Sequence, residues 1–139
     1  MPAYSKTPLY KKLGLQDGMA IAIHQAPANY FDLLAPVDEK SLSVDTEPIA
    51  GSLDFVHLFV ENQADLEAIY LHYKHAIKRD GMMWISWPKG SSGIATDLKR
   101  DWIRAYGLDN GLVDVKIASI NDLWSGLKFV YRLVDRQAI

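Results

Sequence analysis

The feature that most constrains the fold is a pattern of strand, helix and strand with short connections in the middle of the chain. Residues 53–60 (LDFVHLFV) are almost uniformly apolar, which is typical of a strand that is covered on both faces. Asn62, together with Asp65, predicts the start of an amphipathic helix that runs to Gly81. Residues 82–88 (MMWISWP) then predict a second buried strand. Such a unit is a right-handed parallel crossover, so the sequence predicts an α/β fold.

Shorter patterns before this unit predict four further elements. Residues 7–14, in which threonine precedes proline and glycine comes last, are typical of a short helix with a hydroxyl N-cap. Residues 19–24 predict a buried strand, and residues 28–34 predict a brief helix that ends before a proline. Residues 42–44 predict a weak second strand.

The segment after the central unit predicts one more crossover helix. Thr96, which follows a loop of small residues, is expected to cap this helix, and Gly107 is expected to end it. Leu98, Trp102 and Ala105 are expected to face the core.

The last part of the chain predicts a β-hairpin. Residues 112–119 and 127–133 alternate apolar and polar side chains, which is typical of strands with one wetter face. The connection at residues 120–125 is too short for a helical crossover, so the two strands are expected to pair antiparallel. Residues 112–119 then form an edge strand through which the chain could form a homo-oligomer.

Composition limits the classes of function. The chain has 139 residues, the size of one domain (residues 1–139), with ordinary apolar and charged fractions of 49% and 23%. A net charge of -2 and a pI near 6.0 give no general attraction to nucleic acid or to an anionic membrane. The absence of cysteine excludes thiolate chemistry, and no apolar run is long enough to span a bilayer. The sequence therefore predicts a cytoplasmic protein that binds neither nucleic acid nor membrane.

Three motifs carry a resemblance to a known family. They are YSKTPLYKKLG at residues 4–14, WPKGSSGIATDL at residues 87–98 and WSGLK at residues 124–128. With these motifs the chain resembles a family of small uncharacterised bacterial proteins that is classed as a domain of unknown function. The resemblance runs across nearly the whole chain, and it implies a shared fold without implying an activity.

The order of elements also resembles a shortened form of the Rossmann-like methyltransferase fold. This resemblance implies three layers around a mostly parallel sheet of about six strands, in the order 2-1-3-4-6-5 with strand 6 antiparallel. Methyltransferases of this class have a glycine-rich turn after strand 1, whereas residues 24–28 here read HQAPA. Asp45 and Glu47 are weak counterparts of the acidic residue that holds a ribose. No cofactor is therefore expected, and catalysis is not favoured.

The predicted ligand site lies at the carboxyl ends of the strands, where ligands bind in open α/β sheets. The side chains expected at this edge are polar: His24, Glu61, Asn62, Ser86 and Lys89. Lys89 opens a flexible loop that contains Ser91 and Ser92. With Thr96, this loop is expected to bring an ammonium, hydroxyls and free amides onto a phosphate or a carboxylate. The alternative is a solvated Lys89, or one paired with Asp97, at the start of a plain connector.

Other candidate groups favour structural roles. His57 is expected to be a core histidine with a backbone partner, and His72 and His75 are expected to be surface residues, so no metal site is predicted. Trp84 and Trp124 are typical of core or capping positions, although either ring could stack on a ligand. The chain contains no Gly-x-Ser-x-Gly turn, so no serine nucleophile is expected.

Three classes of function remain. The favoured hypothesis is a noncatalytic module that binds a small anionic or nucleotide-like ligand around Lys89 and Thr96, because acid–base machinery is missing. The second hypothesis is a protein-interaction or assembly domain that uses the edge at residues 112–119. The third is a divergent methyltransferase-like enzyme with unusual cofactor binding.

Overall fold

The computed structural model describes residues 7–47 and 49–136, and its six strands form one sheet. The strands are β1 (Ala20–His24), β2 (Ser43–Val44), β3 (Leu53–Phe59), β4 (Ile77–Pro88), β5 (Leu112–Ser119) and β6 (Trp124–Tyr131). Their spatial order is β2-β1-β3-β4-β6-β5. Strands β1 to β4 run parallel, and β6 is antiparallel to both β4 and β5. The predicted strand order and the reversed last strand are confirmed.

Helices cover both faces of this sheet. They are α1 (Leu9–Leu13), α2 (Tyr30–Leu33), α3 (Gln63–Ala76), α4 (Arg100–Asp109) and α5 (Leu133–Arg136), with 3-10 turns at Glu39–Ser41 and Gly90–Ser92. Leu13 of α1 and Tyr30 of α2 are buried on one face, whereas Leu66 of α3 and Ile103 of α4 are buried on the other. The fold is therefore a three-layer, Rossmann-like α/β arrangement, as predicted. Within the described residues, no helix is long and apolar enough to cross a membrane.

The central crossover unit begins as predicted. The Asn62 side chain caps α3, because its Oδ1 accepts a hydrogen bond of 2.9 Å from the Asp65 amide. Leu66 and Tyr70 are fully buried where α3 packs on the sheet. Strand β3 is buried at nearly every position, as expected for a strand with parallel neighbours on both sides.

The end of α3 differs from the prediction. The helix ends at Ala76 rather than at Gly81, and the next residue already belongs to β4. Ile77 is extended and buried, in register with Leu53 of the neighbouring strand. The strand therefore begins earlier because pairing with β3 extends back to a β-branched residue that the helical pattern had included.

The first helix differs at its start. It begins at Leu9, and the Pro8 carbonyl accepts hydrogen bonds of 3.1 Å from the amides three and four residues later. Pro8 is thus the N-cap, not the first helical residue, and Thr7 precedes it. Gly14 ends the helix in the left-handed region, with a φ of 78°, as predicted. Residues 4–6 of the first motif lie outside the described residues.

Helix α4 begins later than predicted and also ends later. It starts at Arg100 and continues through Gly107 to Asp109. Thr96 does not cap it, because the Thr96 Oγ1 instead accepts a hydrogen bond of 3.0 Å from the Leu98 amide in a local turn.

The buried face of α4 differs in part from the predicted one. Ala105 is exposed, so its predicted core position is wrong, whereas Ile103 is fully buried. Gly107 faces the sheet so closely that a Cβ atom there would collide with the Phe129 ring of β6. The glycine is therefore a point of close helix–sheet contact and not a helix stop.

The last two strands pair antiparallel as predicted, with β5 at the edge of the sheet. Leu133 lies beyond β6, in α5, so the second strand of the hairpin is shifted toward the N-terminus relative to the prediction. The register of β5 shifts between Asp114 and Lys116. This bulge leaves Val115 unpaired and turns Ile117 outward, so that they are 53% and 49% exposed. The simple alternation predicted for β5 is wrong for this reason.

Candidate functional site

The strand order reverses between β1 and β3, which are neighbours although β2 lies between them in the chain. Ligands of open α/β sheets bind at this point, outside the carboxyl ends of the strands. A cavity of about 410 Å³ opens there. Its lining comes from β1, β3, α3 and β6 and consists of His24, Gln25, Phe59, Glu61, Asp65, Ala68, Ile69 and Trp124. We call this space the switch-point cavity. Two predicted site residues, His24 and Glu61, line it.

His24 is the last residue of β1, and its ring is half-buried. It packs edge-on against the Tyr73 ring, with 5.8 Å between the centroids. Burial lowers the pKa of His24, and the nearby Asp65 carboxylate opposes this effect without cancelling it. At neutral pH the imidazole is therefore largely uncharged, so it can donate one hydrogen bond and accept another.

The turn after β1 has a backbone shape that glycine normally provides. Gln25 has a φ of 57° and is the only non-glycine residue with positive φ in the described ranges. The left-handed region costs a residue with a Cβ atom roughly 1–2 kcal/mol. Sequence reasoning treated residues 24–28 as an obstacle to a ligand and missed Gln25, whose side chain lines the cavity. The available signal was a polar residue directly after a buried strand.

Two carboxylates make the switch-point cavity acidic. Glu61 follows β3, and Asp65 lies in the first turn of α3, where the helix dipole favours negative charge. Asn62, predicted as a site residue, is used to cap the helix instead of lining the cavity. The lining residues include neither lysine nor arginine. The cavity therefore favours groups that donate hydrogen bonds or carry positive charge, and it disfavours phosphate.

Aromatic rings form the apolar part of the wall. Phe59 and Trp124 meet edge to face, with 5.1 Å between the ring centroids. Trp124 is mostly buried, at 8% exposure, and it contributes to the cavity lining. Trp84, the other tryptophan considered for stacking, is fully buried and donates a hydrogen bond of 2.9 Å from its Nε1 to the Leu13 carbonyl. Only Trp124 of this pair is placed to contact a ligand.

The loop after β4 does not join this cavity. The Lys89 Nζ donates a hydrogen bond of 2.7 Å to the Ser119 Oγ, at the end of β5. Asp97, its alternative partner, accepts a hydrogen bond of 2.8 Å from the Gln63 amide. Ser92 Oγ accepts a bond of 3.1 Å from an amide two residues on.

The other predicted anion ligands do not gather around Lys89 either. Ser91 is exposed, and Thr96, as described above, bonds to a local amide. The structure therefore does not bring Lys89 together with these hydroxyls. The bond between Trp87 and Pro88 is trans, and Pro88 ends β4.

A buried chain of hydrogen bonds lies on the α2 side of the sheet. The Tyr30 hydroxyl is 2.8 Å from His57 Nδ1, and His57 Nε2 is 2.6 Å from Ser86 Oγ. Burial lowers the pKa of His57 to about 3, so its ring is neutral. His57 is the predicted core histidine, but its partners are side chains and not backbone groups. Ser86 was expected at the ligand edge and is instead fully buried.

The described residues hold no cluster of three or more histidine, cysteine or acidic side chains that could bind a metal ion. His72 and His75 are exposed on α3, as predicted for surface residues.

Comparison with known proteins extends the fold assignment. No protein-family model and no curated protein matches the chain. A Sulfolobus solfataricus protein classed with the type 11 methyltransferases has a similar structure, with a TM-score of 0.61 and 14% identity over 89% of each chain. A SAM-dependent methyltransferase from Aquifex aeolicus has a TM-score of 0.59 and 13% identity, and the match covers 87% of this chain and 86% of the other. Magnesium protoporphyrin IX methyltransferase from Synechocystis has a TM-score of 0.55 and 15% identity, and the match covers 89% of this chain and 74% of the other.

Identities this low show the fold alone. The chain therefore has the α/β fold of the Rossmann-like methyltransferases, which confirms the second resemblance noted in the sequence. The resemblance to the bacterial family of unknown function stays a prediction.

Proposed function

We propose that this protein is a binding module for a small, nucleoside-like ligand, which it holds in the switch-point cavity. The observation that carries the proposal is the combination of position and lining. The cavity lies where open α/β sheets bind ligands, and it combines aromatic walls with two carboxylates and no cationic side chain.

The lining fits the chemistry of a nucleoside. Carboxylates such as Glu61 and Asp65 accept hydrogen bonds from ribose hydroxyls or from an amine. The rings of Phe59 and Trp124 offer apolar surface to a base or sugar. The volume of about 410 Å³ lies within the usual range of small-ligand sites. A free phosphate on the ligand would meet the carboxylates and weaken its binding.

The proposal predicts binding without turnover. The residues that line the cavity include no serine, threonine, cysteine or lysine. A nucleophile activated by a base within hydrogen-bond reach is therefore missing from this cavity.

Calorimetric titration with adenosine, adenosylhomocysteine and adenosine monophosphate tests the proposal. Adenosine or adenosylhomocysteine should bind, and adenosine monophosphate should bind more weakly. Glu61→Gln should weaken binding about tenfold, because it removes a charged acceptor but keeps the side-chain shape. Glu67→Gln, which removes an exposed carboxylate of α3 outside the cavity, is the matched control and should leave binding unchanged. Absence of saturable binding by all three compounds would contradict the proposal.

A divergent methyltransferase is the enzymatic alternative, and the same cavity would serve it. The shared fold favours it, whereas the turn at residues 24–28 lacks the glycines that let a backbone approach the cofactor. Adenosylmethionine labelled in its methyl group, with candidate acceptors, separates the two proposals. Enzyme-dependent transfer of the labelled methyl group to an acceptor, with release of adenosylhomocysteine, would favour the enzyme over the binding module.

Self-association through β5 is the second alternative. The exposed Val115 and Ile117 on an edge strand favour it, and the bulge between Asp114 and Lys116 opposes regular strand pairing. Light scattering on the unmodified chain and on Ile117→Lys tests it. Self-association predicts a dimer that the substitution converts to a monomer.

A further inference from the structure

Four lysines from separate segments lie around the junction of α1 with the β5–β6 hairpin. They are Lys12 in α1, Lys89 after β4, Lys116 in β5 and Lys128 in β6. Lys116 and Lys128 are direct cross-strand partners in the β5–β6 pair. A Cβ atom added at Gly14, just after α1, would lie 3.7 Å from the Lys128 Nζ, so Lys128 reaches back to the same helix. We call these four residues the lysine cluster.

Hydrogen bonds to neutral groups hold the cluster together. The Lys116 Nζ donates a bond of 2.8 Å to the Lys12 carbonyl. Ser119 joins two further ammonium groups: its carbonyl accepts a bond of 3.4 Å from the Lys12 Nζ, and its Oγ accepts the bond from Lys89. Neutral acceptors of this kind orient the side chains without compensating their charge.

Among the described residues, no member of the cluster forms an ion pair with a carboxylate. The ion pairs of the described residues are Lys78 with Asp54, Arg100 with Asp101 and Arg104 with Asp114, and none involves the cluster. Asp122, in the turn between β5 and β6, is exposed and takes part in none of these pairs. Four uncompensated positive charges therefore lie together in a chain whose net charge is -2.

This arrangement costs stability in the free protein. Like charges directly opposite each other on two strands are destabilising. Lys128 is half-buried. Burial lowers the pKa of its ammonium group, and the positive charge of Lys116 lowers it further. A bound anion would offset the repulsion between these charges and would favour the charged form of Lys128.

We propose that the lysine cluster binds a small phosphate-bearing anion of the pyrophosphate type, at a site separate from the switch-point cavity. Lysine is a point-charge ligand for phosphate, and several ammonium groups from different elements suit a ligand with more than one negative charge. Lys89 thus keeps the anion-binding role expected from the sequence, but with Ser119 and three other lysines in place of Ser91, Ser92 and Thr96. The acidic cavity is chemically unsuited to such a ligand, so the two sites select different compounds.

Calorimetric titration with pyrophosphate at low ionic strength tests this site. The unmodified chain should bind it saturably with one site. Lys116→Gln and Lys89→Gln should each weaken binding about tenfold, since each removes one charge but keeps a hydrogen-bond donor for the Lys12 carbonyl or for Ser119. Lys40→Gln, which removes an exposed positive charge elsewhere, is the matched control and should bind as the unmodified chain does. Circular dichroism confirms that each variant is folded.

Further titrations distinguish an inorganic phosphate ligand from a nucleotide. Triphosphate and adenosine triphosphate should bind with equal affinity if the cluster recognises phosphate groups alone. Tighter binding of adenosine triphosphate would show that the natural ligand is a nucleotide. No saturable binding of pyrophosphate, or an equal loss in Lys40→Gln, would overturn the proposal. Tighter binding of duplex DNA than of triphosphate would overturn the assignment to a small ligand.

Discussion

The switch-point cavity and the lysine cluster belong to one sheet, yet they present opposite charge. The cavity lies at the ends of parallel strands, and its polar groups come from residues directly after those strands or in the helix that follows. The lysine cluster lies where the antiparallel hairpin meets α1, and its members are far apart in the chain. A net charge near zero can therefore conceal two local sites of opposite charge preference.

Charge reversal in the lysine cluster should separate the two sites most clearly. Lys116→Glu should lower the affinity for pyrophosphate about 100-fold, because it removes one attraction and adds one repulsion at the centre of the cluster. Adenosine binding in the cavity should stay unchanged. Parallel calorimetric titrations of both compounds check this. A matching loss of adenosine binding would show that the two regions act as one site.

Acid should destabilise the folded chain through the buried His57. Because the pKa of His57 is lowered from 6.5 to about 3, the unfolded chain binds a proton between these pH values and the folded chain does not. The free energy of unfolding should therefore fall as pH drops from about 6.5 towards 3, by up to about 1.4 kcal/mol per pH unit. Urea unfolding across this range should show a shallower pH dependence for His57→Gln.

His72→Gln replaces an exposed histidine of α3 and is the control for this measurement. It should retain the pH dependence of the unmodified chain. An identical pH dependence in His57→Gln would show that burial does not keep His57 neutral in the folded chain.

The smallest expected effect is on stability and concerns Gln25, which lines the cavity. Gln25→Gly should raise the free energy of unfolding by about 1 kcal/mol or less, because relief of the left-handed φ exceeds the added entropy of the unfolded chain. It should also change adenosine affinity, since the side chain lines the cavity. Thermal unfolding with and without adenosine measures both effects. A loss of stability would mean that the side chain contributes more than the strained backbone costs.

Local patterns predicted most of the fold. The apolar run at residues 53–60 and the Asn62 cap gave β3 and the start of α3, because continuous burial and capping leave direct traces in the sequence. Element ends were harder to predict. Ile77 fits a helical stripe and a strand equally, and its pairing with Leu53 decided between them.

The candidate site was predicted in part. His24 and Glu61 follow the rule that polar residues after parallel strands meet at one edge, and both line the cavity. Ser86 obeys the same rule in the sequence but faces inward, where it bonds to His57. Gln25 was missed, because its left-handed backbone depends on the path of the whole turn.

The sequence by itself determined the α/β class and the polar residues at the ends of β1 and β3, since these depend on periodicity and on general rules of chain connection. The strand order was implied by the resemblance of the element order to the Rossmann-like methyltransferase fold. The tertiary structure alone decided the direction of Lys89, the burial of Ser86 and the meeting of four distant lysines. Side-chain direction depends on contacts between residues that are remote in the chain, such as Lys89 with Ser119, and no local pattern encodes such contacts.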